Sequence, residues 1–224
     1  MNVVMVHGLA VSHRYLLPTA RPPAARFPVL VPDLPGFGHS RKPPIAYGVH
    51  QHAQYLSDWL DARGLRRVCL VGHSFGARVV ARLAVLRPEL TGALVLAGPT
   101  CDPRARGRAR LVRRRLADLP FEPAWQATVL ARDVADAKPW RVWATVGHSV
   151  RKEVERDLRR RPVAPLVLGG ALDPVAPVRW RAAVAATTGG VSVTVPQAAH
   201  NVLTTAGERC AALIDAHVRA ATRG

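Results

Sequence analysis

The stretch Cys69–Val80 reads CLVGHSFGARVV. Its first half is a short, continuous apolar run, as in strands buried on both faces. Its second half has helical spacing, continued by Leu83 and Leu86, with Pro88 beyond the end. Between the halves stands Ser74, with Gly72 and Gly76 two residues to either side. A strand that turns directly into a helix leaves little room, and glycine lets backbone segments approach closely there. The turn lifts the hydroxyl above the sheet, and the N–H groups that open the helix point towards it. Gly72-His73-Ser74-Phe75-Gly76 is therefore a Gly-x-Ser-x-Gly sequence in strand–turn–helix context, and Ser74 is a candidate nucleophile.

The rest of the chain supplies a frame for that bend. Apolar runs occur at 3–6 (VVMV), 27–31 (FPVLV), 68–71 (VCLV), 93–97 (ALVLA), 165–169 (PLVLG) and 191–195 (VSVTV). Helical patterns fall between them. Over 49–63, Val49, Ala53, Leu56 and Leu60 share one face, and Gly64 sits where a C-terminal cap belongs. A closing helix carries Cys210, Leu213, Ile214 and Val218. This alternation predicts an α/β fold with a mostly parallel, doubly wound sheet. Residues 101–162 break the rhythm: they lack a clear strand, contain Trp125, Trp140 and Trp143, and are too long for an ordinary loop. They predict a helical cap over the strand ends, bounded by GPTCDPRARG and RRRPVAP, with residues 1–100 and 163–224 forming the core.

Composition narrows the function. At 224 residues and 49% hydrophobic, the chain suits one domain with a sizeable core. No apolar run approaches the about 18–20 residues that span a bilayer, and the N-terminus lacks a signal-peptide pattern. Cys69, Cys101 and Cys210 are spaced for neither a disulfide framework nor zinc, so a cytoplasmic setting is expected. The net charge of +17 is almost wholly arginine, with lysine only at 42, 138 and 152. That bias reads as coding from a G+C-rich genome. The basic runs at 104–115 and 156–162 carry none of the interleaved aromatics that a single-strand stacking platform would want, so nucleic acid and a membrane are not expected as partners; a functional basic face would suit anionic substrates or an acidic protein partner.

Five segments together resemble the α/β-hydrolase fold of the capped kind. VVMVHGLA looks like the strand ending in His-Gly that supplies half of an oxyanion hole, and VPDLPGFGHSRKP (31–43) is similar to the Asp-x-Pro-Gly-x-Gly-x-Ser loop. VGHSFG is the nucleophile elbow, and LVLGGALDPVAP (166–177) and VPQAAHN (195–201) resemble the acid and histidine segments. The resemblance implies Ser74 as nucleophile, His200 as general base and Asp173 as its orienting acid, with Asp102 the rival acid. The backbone N–H groups of Leu9 and Phe75 would form the oxyanion hole, with Ala10 in reserve for Leu9.

Other histidines compete poorly. His7 and His39 belong to turns, and His73 is too close to Ser74 to be its base. His50 and His52 open a helix without acidic neighbours and read as surface residues. His13 and His217 suggest no site, and His148 suits packing in the cap.

Three departures from the family pattern stand out. Ala77 replaces a frequent glycine, Pro22-Pro23 should end a helix early, and the chain begins almost at the oxyanion strand. Without the family's two earlier strands, FPVLV is expected to be an uncovered apolar edge. Either the sequence starts inside a longer protein, or something such as self-association covers that edge.

The resemblance implies a serine hydrolase of small or medium apolar carboxylic esters, working through an acyl-enzyme without metal or organic cofactor. Cleavage of carbon–carbon bonds or thioesters with the same triad is the alternative. A ligand- or partner-binding protein with a vestigial triad is the other. Haloalkane and epoxide hydrolases of this fold use Asp at the elbow and are disfavoured.

Overall fold

The computed structural model describes residues 1–21, 27–100, 102–105, 107–150, 153–160 and 163–223, with residues 149 and 153–155 by backbone alone. Cys101, Pro22-Pro23 and the 161–162 end of the expected cap boundary lie outside them. Six strands form one sheet: β1 Val3–Val6, β2 Val29–Leu30, β3 Val68–His73, β4 Thr91–Ala97, β5 Leu166–Gly170 and β6 Val191–Val195. Their order is β2-β1-β3-β4-β5-β6, and every pairing is parallel.

The alternation of side chains along these strands explains the two layers around them. Val4, Val6, Leu70, Leu94, Leu96 and Val167 face one core. Their neighbours Val3, Met5, Cys69, Val71, Val95 and Leu168 face the other. Because both faces are buried, the strands read as continuous apolar runs. Helix α1 (Leu17–Ala20) belongs to the second face and helix α2 (Val49–Asp61) to the first. The buried stripe of α2 is Val49, Ala53, Leu56 and Leu60. Gly64, at φ +64°, ends it with its N–H on the Asp61 carbonyl. Helix α3 (Phe75–Leu86) follows β3 directly and packs against α2.

The stretch between β4 and β5 is helical: α4 Arg108–Asp118, α5 Trp125–Ala137, α6 Pro139–Ser149 and α7 Glu153–Arg159. Arginine–aspartate pairs tie it to the sheet layers. Arg14 reaches Asp133 at 3.2 Å, Arg82 reaches Asp157 at 2.7 Å, and Arg114 and Arg179 share Asp102 at 2.8 and 2.9 Å. The buried Arg141 donates to the carbonyls of Pro43 and Ile45. Part of the arginine excess is therefore structural. Helices α8 (Val178–Thr188), α9 (Val202–Thr205) and α10 (Gly207–Arg223) complete the layers. The two described cysteines, Cys69 and Cys210, are free, and burial pushes each thiol up to about 12.

Two expectations change. The FPVLV run supplies only two strand residues. It stands at one end of the sheet beside β1, with Phe27, Val29 and Val31 against one core and Leu30 against the other. His50 is exposed as expected, but His52 is fully buried, with its ring edge-on to Phe75 at 5.5 Å and Tyr47 at 5.7 Å. It falls on the Val49–Ala53–Leu56 side of α2, which the apolar residues alone did not reveal.

Burial, helped by the nearby His7, His148 and Arg141, lowers the His52 pKa to about 3. The unfolded chain then binds a proton that the native state refuses, and stability falls as the pH drops below about 6.5. His52→Leu should lose less melting temperature between pH 7 and pH 4 than the parent protein, as followed by circular dichroism.

Candidate active site

At the end of β3 the backbone of Ser74 takes φ +55° and ψ −112° before α3 begins. A side chain rarely tolerates this region, and the surroundings must fix it. The flanking glycines make that feasible. A Cβ on Gly72 would stand 2.4 Å from the Gly76 carbonyl oxygen, and one on Gly76 would stand 2.4 Å from that of Val6. Ala77 is buried and accommodated.

Three predicted side chains meet here. His200 Nε2 lies 2.9 Å from Ser74 Oγ, and His200 Nδ1 lies 3.0 Å from Asp173 Oδ2. Asp173 stands in the turn after β5, and its Oδ1 accepts the N–H groups of Val175 (2.7 Å) and Ala176 (2.9 Å). Burial pushes the Asp173 carboxyl up. The facing His200 and the two backbone donors outweigh it and hold the pKa at about 2. The rival Asp102 is occupied by Arg114 and Arg179.

The supports of this arrangement are neutral histidines. His7 accepts the Leu34 N–H at Nε2 (2.9 Å) and, through Nδ1, bonds the Gly8 carbonyl (2.8 Å), which fixes the turn carrying Leu9. Burial lowers its pKa. His73 donates from Nε2 to the His200 carbonyl at 2.8 Å and accepts the Tyr15 hydroxyl at Nδ1. Burial lowers the pKa of His73 well below the usual value and raises that of Tyr15 well above it, consistent with this proton placement. Nothing in the sequence marks Tyr15, since a lone tyrosine there carries no motif. For His73 the sequence shows only that it adjoins Ser74.

A cavity of about 290 Å³ opens onto Ser74. Leu9 and Phe75 border it on the sheet side, and Leu111, Leu116, Leu119 and Val146 border it from the helical segment. Trp125, Trp140 and Trp143 are about half exposed and lie outside its lining. Elsewhere, ring or carboxylate atoms of His13, Asp33 and His39 come within 4.8 Å of one another, as a cation would require. The Asp33 oxygens already accept the His13 and His39 backbone N–H groups, and the Arg14 guanidinium stands 2.7 Å from His39 Nε2. This cluster organises the loop after β2.

The profile of the Alpha/beta hydrolase family matches residues 3–213, and the chain belongs to that family. An uncharacterized Mycobacterium tuberculosis protein, Rv2715, is 34% identical over 94 residues, covering 42% of this chain and 28% of the relative. A haloalkane dehalogenase of Bradyrhizobium diazoefficiens is 36% identical over 95 residues, covering 41% of this chain and 30% of the relative. The matches thus span less than a third of these curated relatives. Among solved structures, a thermophilic esterase from Thermogutta terrifontis superposes with a TM-score of 0.83 at 24% identity, covering 99% of this chain and 90% of that one. It shares the fold.

Gly76→Ala tests the bend. Its methyl would press on backbone oxygens of Val6 and His7, which cannot swing away. Urea unfolding should give a loss of about 1–3 kcal/mol.

Proposed function

We propose that the chain is a serine hydrolase that cleaves small or medium apolar carboxylic esters through an acyl-enzyme on Ser74. One observation carries the reading: the Ser74–His200–Asp173 hydrogen-bonded series stands at the floor of an apolar cavity. A serine hydroxyl is a weak nucleophile at neutral pH and needs an adjacent base. His200 Nε2 takes the Ser74 proton as Oγ attacks the ester carbonyl. Asp173 holds the Nδ1–H and stabilises the imidazolium that forms.

The negative charge develops on the former carbonyl oxygen, for which the Leu9 and Phe75 N–H groups are the donors. His200 then passes its proton to the leaving alkoxide, and the alcohol departs. Water enters, gives a proton to His200, and attacks the acyl carbon. Return of that proton to Ser74 Oγ frees the carboxylic acid. Each oxyanion donor of this kind contributes about 10²–10³ in rate.

The helical segment acts as the cap. Its leucines supply the apolar wall, and the cavity lies near the lower end of the about 300–1,000 Å³ usual for ligand sites. That size favours short acyl chains.

A series of p-nitrophenyl esters from acetate to palmitate tests the reading. kcat/KM should peak at short or medium chains and collapse at palmitate, and Ser74→Ala should lower it by at least about 10³. Turnover that survives Ser74→Ala, or none with any ester, would contradict it. Turnover of vinylogous diketones or thioesters alone would move the assignment to those bonds.

A further inference from the structure

His200 is gripped at more atoms than a base alone requires. Besides Asp173 and Ser74 on its ring, and His73 on its carbonyl, its backbone N–H donates to Asp118 Oδ1 at 3.1 Å. Asp118 is the last residue of α4, fully buried, and its other oxygen accepts from Arg115 at 3.1 Å. The next N–H along the loop, that of Asn201, donates to Glu122 Oε1 at 2.7 Å. The Asn201 side-chain amide bonds Gln126 Oε1 at 2.7 Å. Two consecutive amides of the histidine loop therefore end on two carboxylates of the inserted helical segment.

We propose that Asp118 and Glu122 are positioning residues for the base: by accepting the His200 and Asn201 N–H groups, they couple docking of the helical segment to the placement of His200. The inference rests on the reading of His200 as general base.

The energetics support a built contact. Burying a carboxylate is costly unless it is hydrogen-bonded. Burial raises the Asp118 pKa against the opposing pull of His200 and Arg115, with Asp173 adding to the rise. Burial likewise pushes Glu122 up to about 7, opposed by the Asn201 N–H, His200 and Arg115 and reinforced by Asp118. Glu122 Oε2 has no hydrogen-bond partner among the described residues. Oε1 of that carboxyl is spent on the histidine loop.

A contact that only stabilised the fold would appear in the melting temperature. One that positions the base should appear in kcat. The chain can be tested as Asp118→Ala, Asp118→Asn, Glu122→Ala and Glu122→Gln, with p-nitrophenyl butyrate hydrolysis and amide hydrogen exchange at residues 200 and 201 as readouts. Asp136→Ala breaks the Lys42–Asp136 pair, which ties the same segment to the loop after β2 rather than to the histidine loop, and serves as control.

Asp118→Ala should lower kcat at least tenfold with KM within twofold, and speed exchange at the His200 amide at least tenfold. Asp118→Asn keeps an acceptor and should restore kcat to within about threefold of the parent. Glu122→Ala should lower kcat severalfold and Glu122→Gln less, with the Asn201 amide following the same order. Should Asp118→Ala not fold, the half-buried Glu122 pair carries the test. Folded alanine variants with parental kcat would overturn the proposal, whatever their exchange. So would parental exchange in Asp118→Ala. A parent protein that hydrolyses no ester would count against the hydrolase reading instead, and exchange alone would then decide whether the two carboxylates hold the loop.

Discussion

The backbone of Ser74 stands at φ +55°, and room for it exists because Gly72 and Gly76 let α3 close against the end of β1. That approach fixes several things at once. It places the hydroxyl above the sheet, puts the Phe75 end of α3 beside the cavity, and brings the Val6–His7 turn against the helix start. Strain of this sort persists only where the surroundings over-determine it. Here they do so with a parallel sheet buried on both faces, whose strands deliver Ser74, Asp173 and His200 from the C-terminal ends of β3, β5 and β6.

Around that bend the structure invests in buried polar contacts rather than in apolar packing alone. His7 and His73 are neutral and fully committed to hydrogen bonds, one steadying the Gly8 turn and the other the His200 carbonyl. Asp173 is held ionised by its partners against the cost of burial. A hydrogen bond contributes only modestly in net terms, but a buried polar group left unpaired is expensive. Such networks therefore fix geometry more than they add stability. The cavity in front of them is lined mostly by apolar side chains.

Much of this was legible in the sequence because it is local. Continuous apolar runs marked the strands, since both sheet faces are covered, and Gly-x-Ser-x-Gly marked the bend because its glycines have backbone reasons to be there. The segments bearing Asp173 and His200 were readable only as a joint resemblance to a family. What escaped was long-range or depended on depth. The Asp118–His200 contact joins residues 82 apart in the chain, and nothing near Asp118 announces it. His52 looks polar in a one-dimensional reading, yet the turn of α2 carries it inward. FPVLV has the composition of a full strand, but only Val29 and Leu30 pair with β1. The tryptophans at 125, 140 and 143 are half exposed and stand outside the cavity, whose wall on the helical segment is leucine and valine; residue type alone did not tell these positions apart.

The proposed hydrolysis depends on His200 and Asp173 making Ser74 nucleophilic. Treatment with a fluorophosphonate, followed by peptide mass spectrometry, tests it without knowledge of the natural substrate. Rapid modification at Ser74 is expected, abolished in His200→Ala and slowed in Asp173→Asn. Folded protein that stays unmodified, or that labels equally well without His200, would contradict it.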